Sequence, residues 1–265
     1  MSLHQTEAIV LKTTEFLEYD KLVTFYTRKL GKVRAVVKGV RKPTSKLAAS
    51  LGLFTELNLT LFGKRPRELY RVTQTEIMRF HHRLREDVTR LTYGSLFIEL
   101  LNRATGENEP DPELYQFCSG YLTGLEKKVE LGSFTLIYLI KLLQITGFAP
   151  YLSGCVVCRK PIPKQKNTPV QFNFHKGGIV CSVCQTKGSY PARKTLKKQT
   201  HYISSVPIGS IQFYQSALIE PITQIAGLTI DRKQGKILLE LLLNHIAYHL
   251  EGNLKSQKFY RTIIE

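Results

Sequence analysis

Four of the five cysteines of this 265-residue chain occur in two pairs with the same short spacing. Cys155 and Cys158 form the first pair, Cys181 and Cys184 form the second, and residues 159–180, 22 in all, separate them. A two-residue gap lets both thiolates of a pair turn toward one point, so two pairs can surround Zn²⁺ as a tetrahedron. Two disulfides are the alternative, but nothing in the chain indicates an oxidising compartment. The spacing therefore predicts one zinc ion per chain, held by these four cysteines.

The role expected for this zinc is structural rather than catalytic. A catalytic zinc usually keeps three protein ligands and one open position, whereas four thiolates close the coordination shell. No Asp or Glu occurs between Leu131 and Ile219, so no carboxylate close in sequence could act as a general base. His175 could replace one cysteine as a ligand, although we expect it to face solvent or a phosphate. Cys118 lies in an apolar helical stretch and is expected to pack in the core.

A second group of residues suited to chemistry is the basic run over residues 38–46. Its four cations, its two hydroxyls and its accessible backbone N–H groups suit a phosphate backbone, and its glycine and proline keep the backbone out of regular structure. A solvated loop is the alternative. Further cations lie on the hairpin that precedes it. Tyr19, Tyr26 and Tyr70 are candidate platforms for base stacking, with core packing as the alternative. The predicted DNA-binding residues are Arg28, Lys29, Lys32, Arg34, Lys38, Arg41, Lys42 and Lys46.

The charge balance indicates a polyanionic partner. The chain has 38 Lys and Arg against 21 Asp and Glu, which gives a net charge of +17 and a pI near 9.7. Such a balance favours nucleic acid first and an anionic membrane second. A generally basic protein is the alternative, but the acid-free stretch concentrates uncompensated cations in one region.

Other sequence features exclude several classes of protein. The N-terminus does not resemble a signal peptide, and no run approaches the ~18 apolar residues of a membrane span. We therefore expect a cytoplasmic protein with no membrane partner. The chain has no phosphate-loop, GxSxG, HExxH or kinase motif, so we expect no enzymatic activity.

The elements that must position these residues divide into strands and then helices. Five strand patterns cover residues 6–12, 22–27, 33–38, 53–62 and 69–75. In the fourth, leucines from Leu53 to Leu61 alternate with other residues, which predicts one buried face. Five short strands, with a loop between the third and the fourth, favour an OB-fold barrel. An SH3-like barrel is the nearest alternative.

Helical patterns begin near residue 84. They cover residues 84–101, 111–125, 133–146, 211–219, 236–250 and 254–264. Ser133 is a candidate N-cap and Gly147 a stop signal. The predicted fold class is α+β, with an OB domain at 1–80, a helical domain at 81–150 and 191–265, and a four-cysteine zinc-finger insertion at 151–190.

Several segments, taken in order, resemble the RecO family of bacterial recombination mediators. They are Ala8-Ile9-Val10-Leu11, Tyr19-Asp20-Lys21-Leu22-Val23, Gly31-Lys32, residues 38–45, Gly147-Phe148-Ala149-Pro150, the two CxxC pairs with Gly177-Gly178 between them, Tyr248-His249-Leu250, and Leu254-Lys255-Ser256. The resemblance covers essentially the whole chain. It implies an N-terminal OB barrel, a helical domain and a zinc module.

The resemblance also implies a function. Such a protein binds single- and double-stranded DNA, anneals complementary strands without ATP, and works at the nucleoid in the cytoplasm. With RecR, it helps to load RecA on strands coated by the single-stranded DNA-binding protein, whose C-terminal tail is an expected partner. A zinc-bearing transcription or translation factor that does not anneal strands is the alternative, and a DNA glycosylase or nuclease is a third. The zinc finger could also contact DNA, through Arg159, Lys160 and Lys176.

Overall fold

The computed structural model describes residues 2–45, 47–63, 69–162, 170–187, 203–222, 227–250, 252 and 254–264. Their contacts divide the chain into two compact units. The first comprises Met1–Leu131 together with Lys255–Glu265, and the second comprises Gly132–Leu254. Helices of the predicted helical domain therefore belong to both units.

Five strands of the first unit form a closed barrel. They are β1 (Ser2–Phe16), β2 (Asp20–Thr27), β3 (Gly31–Val37), β4 (Glu56–Gly63) and β5 (Tyr70–Arg79), with a short 3-10 helix, Ala48–Leu51, before β4. The order is β1-β2-β3-β5-β4, and β1 pairs with β4 to close the ring. The β3–β5 pairing is parallel and the other pairings are antiparallel. This arrangement is an OB fold, as predicted.

Strand β4 shows why the period-two pattern predicted the barrel. Leu57, Leu59 and Leu61 are buried in its core, where each contributes about 1.5–3 kcal/mol relative to exposure. The strand begins at Glu56 rather than at residue 53, because Phe54 has a left-handed backbone (φ 69°) in the preceding turn.

A buried ionic network joins the barrel to the helices of its own unit. The ring of His81 contacts Glu56 of β4 through Nε2 at 2.8 Å and Glu126 through Nδ1 at 2.9 Å. Arg79 and Ser119 also donate to Glu56, at 3.2 and 2.8 Å. Burial alone would raise the pKa of Glu56, but these hydrogen bonds and charges outweigh it and lower the pKa. The alternation of β4 predicts an exposed Glu56, and this network is the reason that it is buried.

Two of the four described helices of the first unit are capped by aspartates. The four helices are α1 (His82–Glu86), α2 (Val88–Ala104), α3 (Pro112–Lys127) and α8 (Lys255–Ile264). Asp87 accepts a hydrogen bond from the Arg90 N–H and begins α2, so the pattern predicted as one helix from residue 84 is two helices. Asp111 caps α3 in the same way.

The second unit combines helices with a small sheet. Its elements are α4 (Leu131–Ile145), β6 (Val170–Asn173), β7 (Gly178–Val180), α5 (Ser182–Lys187), β8 (Ile203–Val206), α6 (Ile208–Ile219) and α7 (Arg232–His249), and the strand order is β7-β6-β8. The prediction of Ser133 as an N-cap is wrong, because α4 begins two residues earlier and Ser133 Oγ accepts from the Ile230 N–H. Within the described residues, no helix combines the length and apolar character needed to cross a bilayer.

Candidate functional site

The four paired cysteines meet at one point in the second unit. Their sulfur atoms all lie within 4.8 Å of one another, and Cys158 Sγ is 3.8 Å from Cys181 Sγ. Tetrahedral zinc with Zn–S bonds of about 2.3 Å requires sulfurs about 3.8 Å apart. The five cysteines of the chain, all described, are free rather than joined in disulfides. The donor set and its spacing therefore fit a zinc ion.

The first pair lies on a tight turn that follows Gly154. The Cys155 N–H donates to the Lys160 carbonyl at 2.9 Å, and the Arg159 N–H donates back to the Cys155 carbonyl at 2.8 Å. A Cβ on Gly154 would lie 2.9 Å from the Lys160 oxygen, closer than side chains approach a carbonyl. Glycine is therefore required here for the turn to close.

The second pair is positioned by the β6–β7 hairpin. Strand β7 ends at Val180, directly before Cys181, and α5 begins at Ser182, so Cys184 lies in the first turn of that helix. At the start of β7, a Cβ on Gly178 would lie 2.7 Å from the Tyr151 carbonyl oxygen. Close backbone packing thus brings the two pairs together.

The local hydrogen bonds favour ionisation of one sulfur. Burial raises the pKa of the Cys155 thiol, but backbone N–H groups, among them that of Cys181 at 3.4 Å, outweigh it and lower the pKa to about 6. Hydrogen bonding to Cys181 is the main reason that the pKa of Cys184 rises to about 12. Four thiolates at this spacing need a cation between them, which is the condition that a zinc ion meets.

His175 does not take part in the cysteine cluster. Its Nδ1 lies 3.0 Å from the Tyr248 hydroxyl, and its side chain is exposed. Cys118 is 1% exposed, as expected for a core residue, and burial raises the pKa of its thiol.

The basic run follows β3 in the first unit and is fixed to the β1–β2 turn. The Gly39 N–H donates to Asp20 Oδ1 at 2.8 Å, and the Arg41 N–H donates to the Tyr19 carbonyl at 3.0 Å. Lys38, Arg41 and Lys42 have exposed side chains on this run. We call these three cations the basic loop. Lys46 lies outside the described residues.

The four predicted cations of the preceding hairpin differ in their surroundings. Arg28 pairs with Glu7 at 2.9 Å and Arg34 pairs with Glu107 at 3.0 Å, both on the surface, where such pairs are weak. Lys29 is exposed. Lys32 differs, because its Nζ donates to the carbonyls of Asn102 and Thr105 at the end of α2. Burial lowers the pKa of Lys32, and its ammonium is bound within the protein.

The three candidate stacking tyrosines differ in how exposed their side chains are. Tyr26 is 1% exposed and Tyr70 is 2% exposed, so both pack in the protein interior, which is the core-packing alternative and rules them out as stacking platforms. Tyr19 is 45% exposed, and Lys42 Nζ lies 5.5 Å from the centre of its ring. The neighbouring Phe16 and Leu17 were not identified from the sequence as candidate functional residues. The pattern that could have indicated them is two apolar residues between two acidic residues at the end of a strand.

Comparison with known proteins extends along nearly the whole chain. Residues 1–81 match the family described as "Recombination protein O N terminal", and residues 85–258 match "Recombination protein O C terminal". The chain is 31% identical over 259 residues to a DNA repair protein RecO of Listeria innocua, covering 98% of this chain and 94% of that protein. A protein of the same name from Pelotomaculum thermopropionicum is 29% identical over 262 residues, covering 98% and 94%. The one from Alkaliphilus metalliredigens is 27% identical over 250 residues, covering 94% of each.

Proposed function

Since this chain belongs to the RecO family of DNA repair proteins, we propose that it is a mediator of recombination that anneals complementary DNA strands without ATP. In this role it binds both single- and double-stranded DNA and is not an enzyme. Together with RecR, it helps RecA to load on single strands coated by the single-stranded DNA-binding protein. We expect it to act at the bacterial nucleoid, where those strands arise.

The observation that carries the proposal is the basic loop on the OB barrel. Lys38, Arg41 and Lys42 are exposed on a run that two hydrogen bonds from its backbone N–H groups, one to the Asp20 carboxylate and one to the Tyr19 carbonyl, hold against the β1–β2 turn. Phosphate groups bind such cations and release counterions, which reduces the repulsion between two DNA backbones. Annealing needs two backbones brought together, and a chain with a net charge of +17 is suited to that.

We propose a structural role for the zinc ion. Cys155, Cys158, Cys181 and Cys184 would hold it, one ion per chain, and it would supply the cross-link between two short turns. The elements beside these turns are short: β6 has four residues and β7 has three. Segments of this size have too few apolar contacts to order themselves, so metal binding supplies folding free energy.

Charge suggests how the coated strand is recognised. The tail of the single-stranded DNA-binding protein is acidic with an apolar tip, and the region between Leu131 and Ile219 carries no acidic residue. Opposite charge would steer the tail to this region and raise the rate of association. The contact with RecR is proposed from the family alone.

Strand annealing tests the proposed function. Two complementary oligonucleotides, bare or coated with the cognate single-stranded DNA-binding protein, are mixed without ATP, and duplex formation is followed by fluorescence energy transfer. We expect the protein to accelerate duplex formation on coated strands. Tight binding without acceleration would instead indicate a zinc-bearing binding module.

A double variant tests the basic loop. Arg41→Ala with Lys42→Ala should weaken DNA binding and reduce the slope of log affinity against log salt by roughly 1.5, because each lost phosphate contact contributes about 0.7–0.9. Lys255→Ala with Lys258→Ala removes the same charge from exposed positions of α8 and serves as the control. An unchanged slope in the loop variant would show that DNA binds elsewhere.

A further inference from the structure

The tip of the β1–β2 hairpin exposes three large apolar side chains within four consecutive residues. Phe16 is 36% exposed, Leu17 is 73% exposed and Tyr19 is 45% exposed. Single exposed apolar residues are ordinary on protein surfaces, but a contiguous group marks a surface that contacts another molecule. We call residues 16–19 the hairpin tip.

The backbone conformation and exposure of Leu17 do not contribute to the stability of the fold. Its backbone is left-handed, with φ at 55°, a conformation that glycine, asparagine or aspartate adopts more readily than leucine. A glycine would remove this strain, and a side chain that is 73% exposed gains little from the core. A strained residue whose side chain points to solvent is a reason to look for a function.

The hairpin tip is held beside the basic loop. The Tyr19 carbonyl accepts the Arg41 N–H at 3.0 Å, and Lys42 lies over the Tyr19 ring at 5.5 Å from its centre. A group that binds phosphates and a group with exposed aromatic faces therefore form one surface of the barrel.

The acidic residues of the hairpin have partners within the protein. Asp20 accepts the Gly39 N–H at 2.8 Å, Glu15 pairs with Arg41 at 3.4 Å, and the Tyr19 hydroxyl bonds to Glu18. The ion pair compensates the charge of Glu15, the other two carboxylates accept hydrogen bonds, and Lys38 and Lys42 remain exposed to a phosphate backbone.

We propose that the hairpin tip stacks against unpaired bases of a DNA strand whose phosphates lie on the basic loop. This inference rests on the proposed function and adds to it a reason to prefer single strands. Base faces are free in a single strand, whereas in a duplex only the terminal pairs expose them. Aromatic and apolar side chains stack on bases of any sequence, so the contact discriminates by strandedness and not by sequence.

The test compares a single strand with a blunt duplex of the same length and sequence, each carrying 2-aminopurine within the strand. In the full chain, Phe16→Ser with Leu17→Gly should weaken single-strand binding about fivefold or more, the range for losing a stacked base. Duplex affinity should stay within about twofold, because phosphate contacts dominate duplex binding. The 2-aminopurine fluorescence change that the unaltered protein produces in the single strand should disappear.

Two further variants make this result interpretable. Leu17→Gly alone should unfold at an equal or higher temperature, since it relieves the left-handed strain, so weaker binding by it cannot come from misfolding. Leu3→Ser removes another exposed leucine, 66% exposed and at the opposite end of β1, and should leave both affinities unchanged.

The outcomes separate this inference from the proposed function. If the tip variant binds both DNAs as the unaltered protein does while the Arg41 and Lys42 variant binds weakly, base stacking is wrong and the basic loop stands. If the tip variant loses single-strand and duplex affinity equally, the tip contacts the backbone and stacking is again wrong. If only the tip variant weakens binding, stacking stands and the basic loop is not the phosphate site.

Discussion

His81 is a single residue that carries an ionic link between the barrel and the helices of the first unit. Both ring nitrogens face carboxylate oxygens, Glu56 at 2.8 Å and Glu126 at 2.9 Å, and carboxylates only accept hydrogen bonds. The ring must therefore donate from both nitrogens, which makes it an imidazolium. Burial alone would lower the pKa of His81, but the two carboxylates outweigh it and raise the pKa above 6.5.

This raised pKa predicts a specific pH dependence of stability. The contribution of His81 is fully present below its ordinary pKa of 6.5 and is lost as the pH rises through the folded-state value. Glu56 affects stability at acid pH. Because its pKa is lowered in the folded protein, its contribution is lost as the pH falls below 4.5 and through its folded-state pKa. We expect the unfolding free energy of the first unit to fall as the pH rises above 6.5 and through the raised pKa of His81.

The variant His81→Gln should abolish most of that slope. At about pH 6 it should cost about 3 kcal/mol, since it breaks a buried ion pair. Denaturant unfolding at several pH values measures both effects. His82→Gln, at the neighbouring exposed position, is the control. Parallel pH profiles for His81→Gln and the unaltered protein would contradict the assignment of the imidazolium.

The cysteine cluster gives a second prediction for a single residue. Cys155→Ser should lose bound zinc, because it removes the most buried of the four ligands. Metal content of the purified protein, measured by mass spectrometry, reports this directly. Cys118→Ala removes a thiol that is not in the cluster and should keep its zinc. Equal zinc content in the two variants would contradict the ligand set.

Among the elements, α2 depends on a lysine supplied by a distant strand. Lys32 of β3 donates to the carbonyls of Asn102 and Thr105, which are among the unpaired acceptors at the C-terminus of that helix. Lys32→Met should lower stability by about 1 kcal/mol, since a cation near a helix C-terminus is favourable. It should reduce DNA affinity less than Arg41→Ala does.

Thermal unfolding and DNA titration of the same samples measure both properties of the Lys32 variant. Lys12→Met, an exposed cation of the same barrel, should leave stability unchanged. A loss of DNA affinity in Lys32→Met as large as that in Arg41→Ala would mean that Lys32 serves the DNA surface after all.

The same elements show what sequence could and could not predict. Strands were predictable because alternation is local, as in Leu57, Leu59 and Leu61. The role of Lys32 could not be predicted from the sequence, because its hydrogen-bond partners lie 70 and 73 residues away along the chain. The burial of Tyr26 was not predictable either, since a tyrosine in a strand suits both a core and a surface. The cysteine cluster was predictable, because its ligand spacing is itself the chemical requirement.

For the whole molecule, the division into two units predicts separate responses to zinc removal. The barrel has its own hydrophobic core in the first unit, whereas the cysteines lie in the second. A strong chelator should therefore lower the unfolding temperature of the second unit and leave that of the first nearly unchanged. Hydrogen exchange checks this, because amides of β6 and β7 should lose protection and those of β1–β5 should keep it. Equal loss in both sets would contradict independent units.

The return of α8 to the first unit has a consequence for synthesis on the ribosome. Glu99 of α2 accepts hydrogen bonds from the N–H groups of Lys255 and Ser256, and the rings of Tyr93 and Tyr260 lie 5.9 Å apart. All of Gly132–Leu254 must be translated before these contacts can form, which takes roughly ten seconds at bacterial elongation rates. During that interval the nascent barrel unit carries an uncovered apolar face on α2, which is a binding surface for chaperones.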